Sequence, residues 1–159
     1  MLNELVFCSA EITLMREDDI PFVLDIERQS NPHPWSESSF REAFASGYLC
    51  LVAREAQCIV GFAIVQVLVD DAELLLIAVN PSSRRSGCAS MLLAEAVQRL
   101  SLIDRSPLHL EVRRSNAAAI AFYEARKFAL TGVRKNYYPS GVAGQSREDA
   151  LLMSLALRS

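Results

Sequence analysis

Glycine is scarce: six in 159 residues, at positions 47, 61, 87, 132, 141 and 144. Neither G-x-G-x-x-G nor the P-loop pattern can be written with them, which excludes dinucleotide and P-loop nucleotide chemistry. Histidine occurs twice, as His33 and His109, too few to build a zinc cluster unaided, so no metal is expected. There is no G-x-S-x-G elbow to present a serine nucleophile. The four cysteines, Cys8, Cys50, Cys58 and Cys88, are scattered without a C-x-x-C pair and read as reduced, structural thiols of a cytoplasmic protein. The longest apolar run, Cys58 to Val69, includes Gly61 and Gln66 and falls short of the roughly 20 residues a bilayer span requires. Met1 to Glu11 has no positive lead-in, and Glu4 and Glu11 interrupt it, so neither a signal peptide nor a membrane partner is expected. There is no excess of positive charge either. With 16 Lys+Arg against 19 Asp+Glu and a net charge of −3, the chain lacks the clustered cations that grip phosphate backbones, and free nucleic acid is not an expected partner.

What is present is a hydrophobic fraction of 51% with 22% charged residues, the balance of a globular protein. Surface scaling for this length lets about 69% of the unfolded surface be buried, enough for a core without staples, and residues 1–159 read as one domain. The expected elements alternate. A strand over Ala10–Met15 leads to a helix ending about Ser30, capped by Asp18 or Asp19 with Pro21 in its first turn. Pro32 and Pro34 break that helix, and a second starts at the cap Ser36, with Trp35 and Phe40 placed as a hydrophobic staple and Gly47 as its stop. Tyr48–Arg54 and Cys58–Val69 form a hairpin about Glu55-Ala56-Gln57. Then come a strand over Glu73–Val79, a helix from about Ser86 to Ile103, a strand over Pro107–Arg113 and a helix from Ser115 or Asn116 to about Arg126. Two strands, about Phe128–Lys135 and Asp149–Ala156, complete an α/β domain with a mixed sheet and helices on its faces.

Three places could carry chemistry. The turn Arg84-Arg85-Ser86-Gly87-Cys88-Ala89-Ser90 lies between a buried strand and an amphipathic helix, where backbone N–H groups, the helix dipole and two arginines suit a phosphate; an ordinary polar cap has the same composition. In Leu108–Arg113 the aliphatic residues face one way and His109, Glu111 and Arg113 the other, so Glu111 is either a base beside a cleft or part of a solvated face. Asn116, Ile120 and Tyr123 share one helical stripe, which suits a ligand contact or a tyrosine capping the core.

Arg84-x-x-Gly87-x-Ala89 is similar to the Q/R-x-x-G-x-G/A turn of the GCN5-related N-acetyltransferases. Pro34-Trp35-Ser36-Glu37, Ile77-Ala78-Val79-Asn80-Pro81, Leu110-Glu111-Val112-Arg113 with Ser115-Asn116-Ala117, Asn136-Tyr137-Tyr138-Pro139 and Arg147-Glu148-Asp149-Ala150 extend the resemblance from about Ile12 to Leu157. It implies a mostly antiparallel central sheet flanked by helices, with splayed fourth and fifth strands. It also implies transfer of acetyl from acetyl-coenzyme A to the N-terminal alanine of a small-subunit ribosomal protein; other N-termini or lysines are the alternative acceptors. By the same resemblance Ile77, Ala78 and Val79 pair with the pantetheine arm, and Arg84, Arg85, Ser86, Gly87, Cys88, Ala89 and Ser90 hold the pyrophosphate. Asn116 contacts the coenzyme, Glu111 is the base and Tyr123 the acid. A monomer is the favoured state. The chain departs from the family at Ala89 and Ser90, at Lys127 where glycine is usual, and in a longer loop over Ser140–Ser146.

Overall fold

The computed structural model describes residues 9–140, 143–144 and 146–158. Cys8, the first residues considered above for a signal peptide, and Gly141, Val142 and Gln145 of the longer loop lie outside them. The elements are β1 (Glu11–Leu14), α1 (Ile20–Ser30), α2 (Glu37–Ala45), β2 (Leu49–Glu55), β3 (Cys58–Val67), β4 (Ala72–Val79), α3 (Cys88–Leu102), β5 (Leu108–Arg113), α4 (Ala117–Ala125), β6 (Ala129–Tyr138) and β7 (Glu148–Leu155). Short 3-10 turns at Glu17–Asp19 and Pro81–Ser83 are additions to the expected order. The strands follow the sheet order β1-β2-β3-β4-β5-β7-β6. Two compact units divide the chain, one running to Gln66 and including Leu76–Arg99, the other made of Val67–Leu75 and the residues from Leu100 onward.

In the first unit β1, β2 and β3 are antiparallel neighbours. The β2–β3 hairpin turns on Ala56 (φ 47°) and Gln57 (φ 68°), the doubly positive backbone of a two-residue turn that matches strand twist. Ser36 accepts from Ser39 N at 3.2 Å, and the Trp35 and Phe40 rings meet at 5.4 Å, as a staple requires. Phe40 then packs edge-on against Phe62 of β3 at 5.6 Å. Gly47 (φ 75°) ends α2, and Tyr48 N donates to Ala43 O at 3.1 Å. The buried Glu27 carboxylate accepts from Trp35 N at 3.4 Å, tying α1 to the proline-broken segment, and burial raises its pKa.

Asp19 corrects the expected cap. It stands at the N-cap position of α1, but its side chain makes no capping bond. It is buried, accepts from Arg16 N at 2.8 Å and pairs with Arg54, whose Nε donates to Thr13 at 3.2 Å. A buried carboxylate is better satisfied by a guanidinium than by a helix N–H.

Gly61 lets α3 approach β3. A Cβ there would lie 3.0 Å from Ala78 O and 3.2 Å from both Cys88 Sγ and Leu92 Cδ1. Gly61→Ala is therefore expected to cost about 1–3 kcal/mol by overpacking, read as a fall in the thermal midpoint; an unchanged midpoint would contradict this packing.

In the second unit β4 and β5 are parallel only over Ala72↔Leu108, Glu73↔His109 and Leu74↔Leu110, so their ladder stops early, as splayed strands require. β7 is antiparallel to β5 from Leu108↔Leu155 to Arg113↔Ala150, and β6 is antiparallel to β7. Leu108, Leu110, Val112, Ala150 and Met153 are buried there, with Tyr123 and Phe128.

Candidate active site

The turn after β4 is internally braced. Asn80 Oδ1 accepts from Ser82 N at 3.1 Å, and Ser86 Oγ donates to Ser83 O at 2.5 Å. Arg85 (φ 64°) and Gly87 (φ 82°) take left-handed backbone, and Gly87 O accepts the first bond of α3 from Met91 N at 3.1 Å. The positive end of a 15-residue helix thus falls on this turn. Arg84 folds back, its Nε 3.4 Å from Val79 O and a terminal nitrogen 3.4 Å from Ser30 Oγ; Arg84 and Arg85 are both exposed. Cys88 is 1% exposed, with its Sγ turned toward Gly61. Ile77 and Ala78 are half-buried on β4 and Val79 is buried.

The second unit carries the titratable cluster. β5 alternates as expected, with Glu111 on the polar face. The Glu111 carboxylate meets Arg134 Nε at 3.1 Å. Arg113 pairs with Glu148 at 3.3 Å and lies 4.4 Å over the Tyr138 ring. Hydrogen bonds from Ser115, its backbone N at 2.6 Å among them, hold the Glu148 carboxyl below its ordinary range. Burial, then the Glu111 charge, raises the Glu73 pKa. Burial is also the main cause for the two phenols: Tyr138 is pushed up to about 12 with help from Glu111, and Tyr123 to about 12 with help from Tyr138. Asn116 Oδ1 caps α4 by accepting from Ala119 N at 3.2 Å. Sequence reasoning singled out Glu111 and Tyr123 as candidates and gave Glu73, Arg134 and Tyr138, which the structure places beside them, no role. The only signal for them was strand parity at Glu73 and the Asn136–Pro139 motif at Tyr138.

Both phenols carry a stability consequence. Their folded pKa values exceed the ordinary 10, so they favour the native state fully below pH 10, and that contribution is lost as pH rises towards 12. Urea midpoints are expected to hold to pH 10 and then fall, and the fall should be shallower in Tyr123→Phe.

Cys50, pushed up to about 11 by burial, is an inert structural thiol. Among the described residues no His/Cys/Asp/Glu group is arranged to hold a metal, and no helix is long and apolar enough to cross a membrane.

The chain belongs to the acetyltransferase (GNAT) family, whose pattern matches residues 20–128. It is an N-acetyltransferase in class. The chain is 39% identical over 146 residues to the [Ribosomal protein bS18]-alanine N-acetyltransferase of Salmonella typhimurium, covering 92% of this chain and 97% of that protein. The crystal structure of the ribosomal-protein-S18-alanine N-acetyltransferase from Escherichia coli superposes with a TM-score of 0.86 at 37% identity, covering 94% and 95% of the two chains. Ard1 from Thermoplasma volcanium shares the fold, with a TM-score of 0.85 at 24% identity over 95% and 99%.

Proposed function

We propose that this enzyme transfers acetyl from acetyl-coenzyme A to the N-terminal alanine of a small-subunit ribosomal protein, working as a single cytoplasmic domain. The observation that carries the acceptor is the whole-length similarity to the bS18-alanine enzyme of Salmonella typhimurium. That the family match runs through residues of both compact units supports one domain.

The chemistry follows from side chains. Glu111 takes a proton from the acceptor α-ammonium, directly or through a water. An α-amine has a pKa near 7.7–8.0 against about 10.4 for lysine, a difference of roughly 3.5 kcal/mol, within reach of one carboxylate. The amine attacks the thioester carbonyl, a C–N bond forms, and the oxyanion is met by a backbone N–H near Val79. The C–S bond breaks as Tyr123 gives its proton to the departing sulfur, and the second proton shed by the attacking nitrogen passes through solvent to restore the phenol. Backbone of Ile77, Ala78 and Val79 pairs with the pantetheine arm. The turn from Arg84 to Ser90 takes the pyrophosphate, and Asn116 offers its amide nitrogen to the coenzyme.

Thiol release from acetyl-coenzyme A tests the acceptor. An alanine-first peptide is expected to turn over, and an N-terminally blocked, lysine-containing version is not. Turnover of the blocked peptide alone would move the acceptor to lysine.

A further inference from the structure

Arg134 has no place in the chemistry above, yet it is the cation nearest the base. It lies on β6 and Glu111 on β5, with β7 between them. Two strand spacings are about 9.5 Å, so neither side chain meets the other by register. Arg134 is opposite Ala150, which is fully buried and is also opposite Arg113. Glu111 is opposite Leu152. The Arg134 side chain therefore leans diagonally over a methyl group to bring Nε to 3.1 Å from Glu111 Oε1.

Three features select this pairing. Arg113, the other arginine in the row, is taken by Glu148 at 3.3 Å and by the Tyr138 ring. The register of β6 against β7 shifts between Arg134 and Tyr138, with Asn136 at φ 53° and its N–H donating to Asp149 Oδ1 at 2.9 Å; such a bulge re-aims the side chains beside it. The Tyr137 ring lies 5.4 Å from the Arg134 guanidinium carbon. Arg134 is itself 55% exposed on an edge strand, where an ion pair adds little to stability.

We infer that Arg134 is a positioning residue for the reaction: it fixes the orientation of the Glu111 carboxylate through one oxygen and leaves proton abstraction to the other. Arginine stays charged throughout the working range, so the contact is kept at every working pH. The remaining groups about Glu111 are Glu73 from β4, His109 and Arg113 from β5 and Tyr138 from β6, while Leu152 and Ala150 of β7 are uncharged. Among them Glu73 opposes the anion. His109 is bonded to Ser154 at 2.6 Å and Asp71 at 3.0 Å, and Arg113 is committed to Glu148, so Arg134 is the counter-charge that matters.

This inference rests on the reading of Glu111 as the base. The test is kcat, with KM for acetyl-coenzyme A and for the alanine-first peptide, for Arg134→Gln, Arg134→Lys and the distant surface variant Arg41→Gln. With the carboxylate no longer anchored, Arg134→Gln should lose about tenfold or more in kcat, the scale of a misplaced catalytic group. Arg134→Lys should restore most of the rate, KM for acetyl-coenzyme A should not move, and Arg41→Gln should match the parent. In a Glu111→Gln background Arg134→Gln should have no further effect. An Arg134→Gln kcat equal to the parent's, or an equal loss in both Arg134 variants, overturns the inference while leaving the base assignment intact. Turnover retained in Glu111→Gln would instead remove the base assignment itself.

Discussion

Glu111→Gln is expected to lower kcat by about 10²–10⁴, the range of a removed general base, while leaving the fold and the coenzyme site in place. The substitution keeps the shape of the side chain, and its oxygen can still accept from Arg134 Nε, 3.1 Å away in the parent. What disappears is the capacity to take a proton. Stability should change by no more than about 1 kcal/mol, because the arginine partner is 55% exposed and such pairs contribute little. Glu73, opposite His109 two residues before Glu111, is the carboxylate best placed to substitute, but burial and the neighbouring charge raise its pKa, which makes it a poorer anion. The measurement is steady-state turnover together with the thermal shift produced by acetyl-coenzyme A. Loss of turnover with an unchanged shift is the expected pair of results. Turnover within threefold of the parent would show that the amine loses its proton elsewhere.

Tyr123→Phe is expected to cost about 10²-fold in kcat, the low end for a removed general acid. The lower figure follows from the leaving group: a thiol has a pKa of about 8.5 and departs as an anion far more readily than an alkoxide. The ring stays, packed against Phe122 at 5.3 Å and Phe128 at 5.4 Å, and the bond from Phe128 N at 3.1 Å goes to the backbone carbonyl of Tyr123, so folding is preserved. A phenol pushed up to about 12 stays protonated at every working pH, so the parent should show no alkaline loss from this group up to pH 10. A parent rate that falls between pH 8 and 9, with the fall absent in Tyr123→Phe, would contradict that environment. Equal rates in parent and variant would remove the tyrosine from the reaction.

Local chemistry made most of the fold legible. The hairpin break, read as Glu55-Ala56-Gln57 and narrowed in the structure to Ala56-Gln57, the cap at Ser36, the Trp35–Phe40 staple and the in–out alternation of β5 each act over a few residues. Lys127 takes the left-handed conformation (φ 73°) at the position where the family's glycine would sit, an outcome readable from the residue pattern alone. Asp19 was misread because its buried partner, Arg54, is 35 residues away. The same difficulty hid half of the titratable cluster. Glu73 reaches the polar face of β5 through a parallel ladder, and Arg134 and Tyr138 reach it because β7, the last strand in the chain, inserts between β5 and β6. No short-range pattern encodes that insertion. The bulge that aims Arg134 depends further on Asp149, a residue on the other strand.

The most direct test is to incubate the enzyme with acetyl-coenzyme A and unacetylated small-subunit ribosomal proteins, and to locate the added acetyl by intact-mass and fragment-ion spectrometry. One acetyl group on the N-terminal alanine of a single protein is the expected result. Acetyl groups on lysine side chains, or none despite stabilisation by acetyl-coenzyme A, would contradict the proposed acceptor.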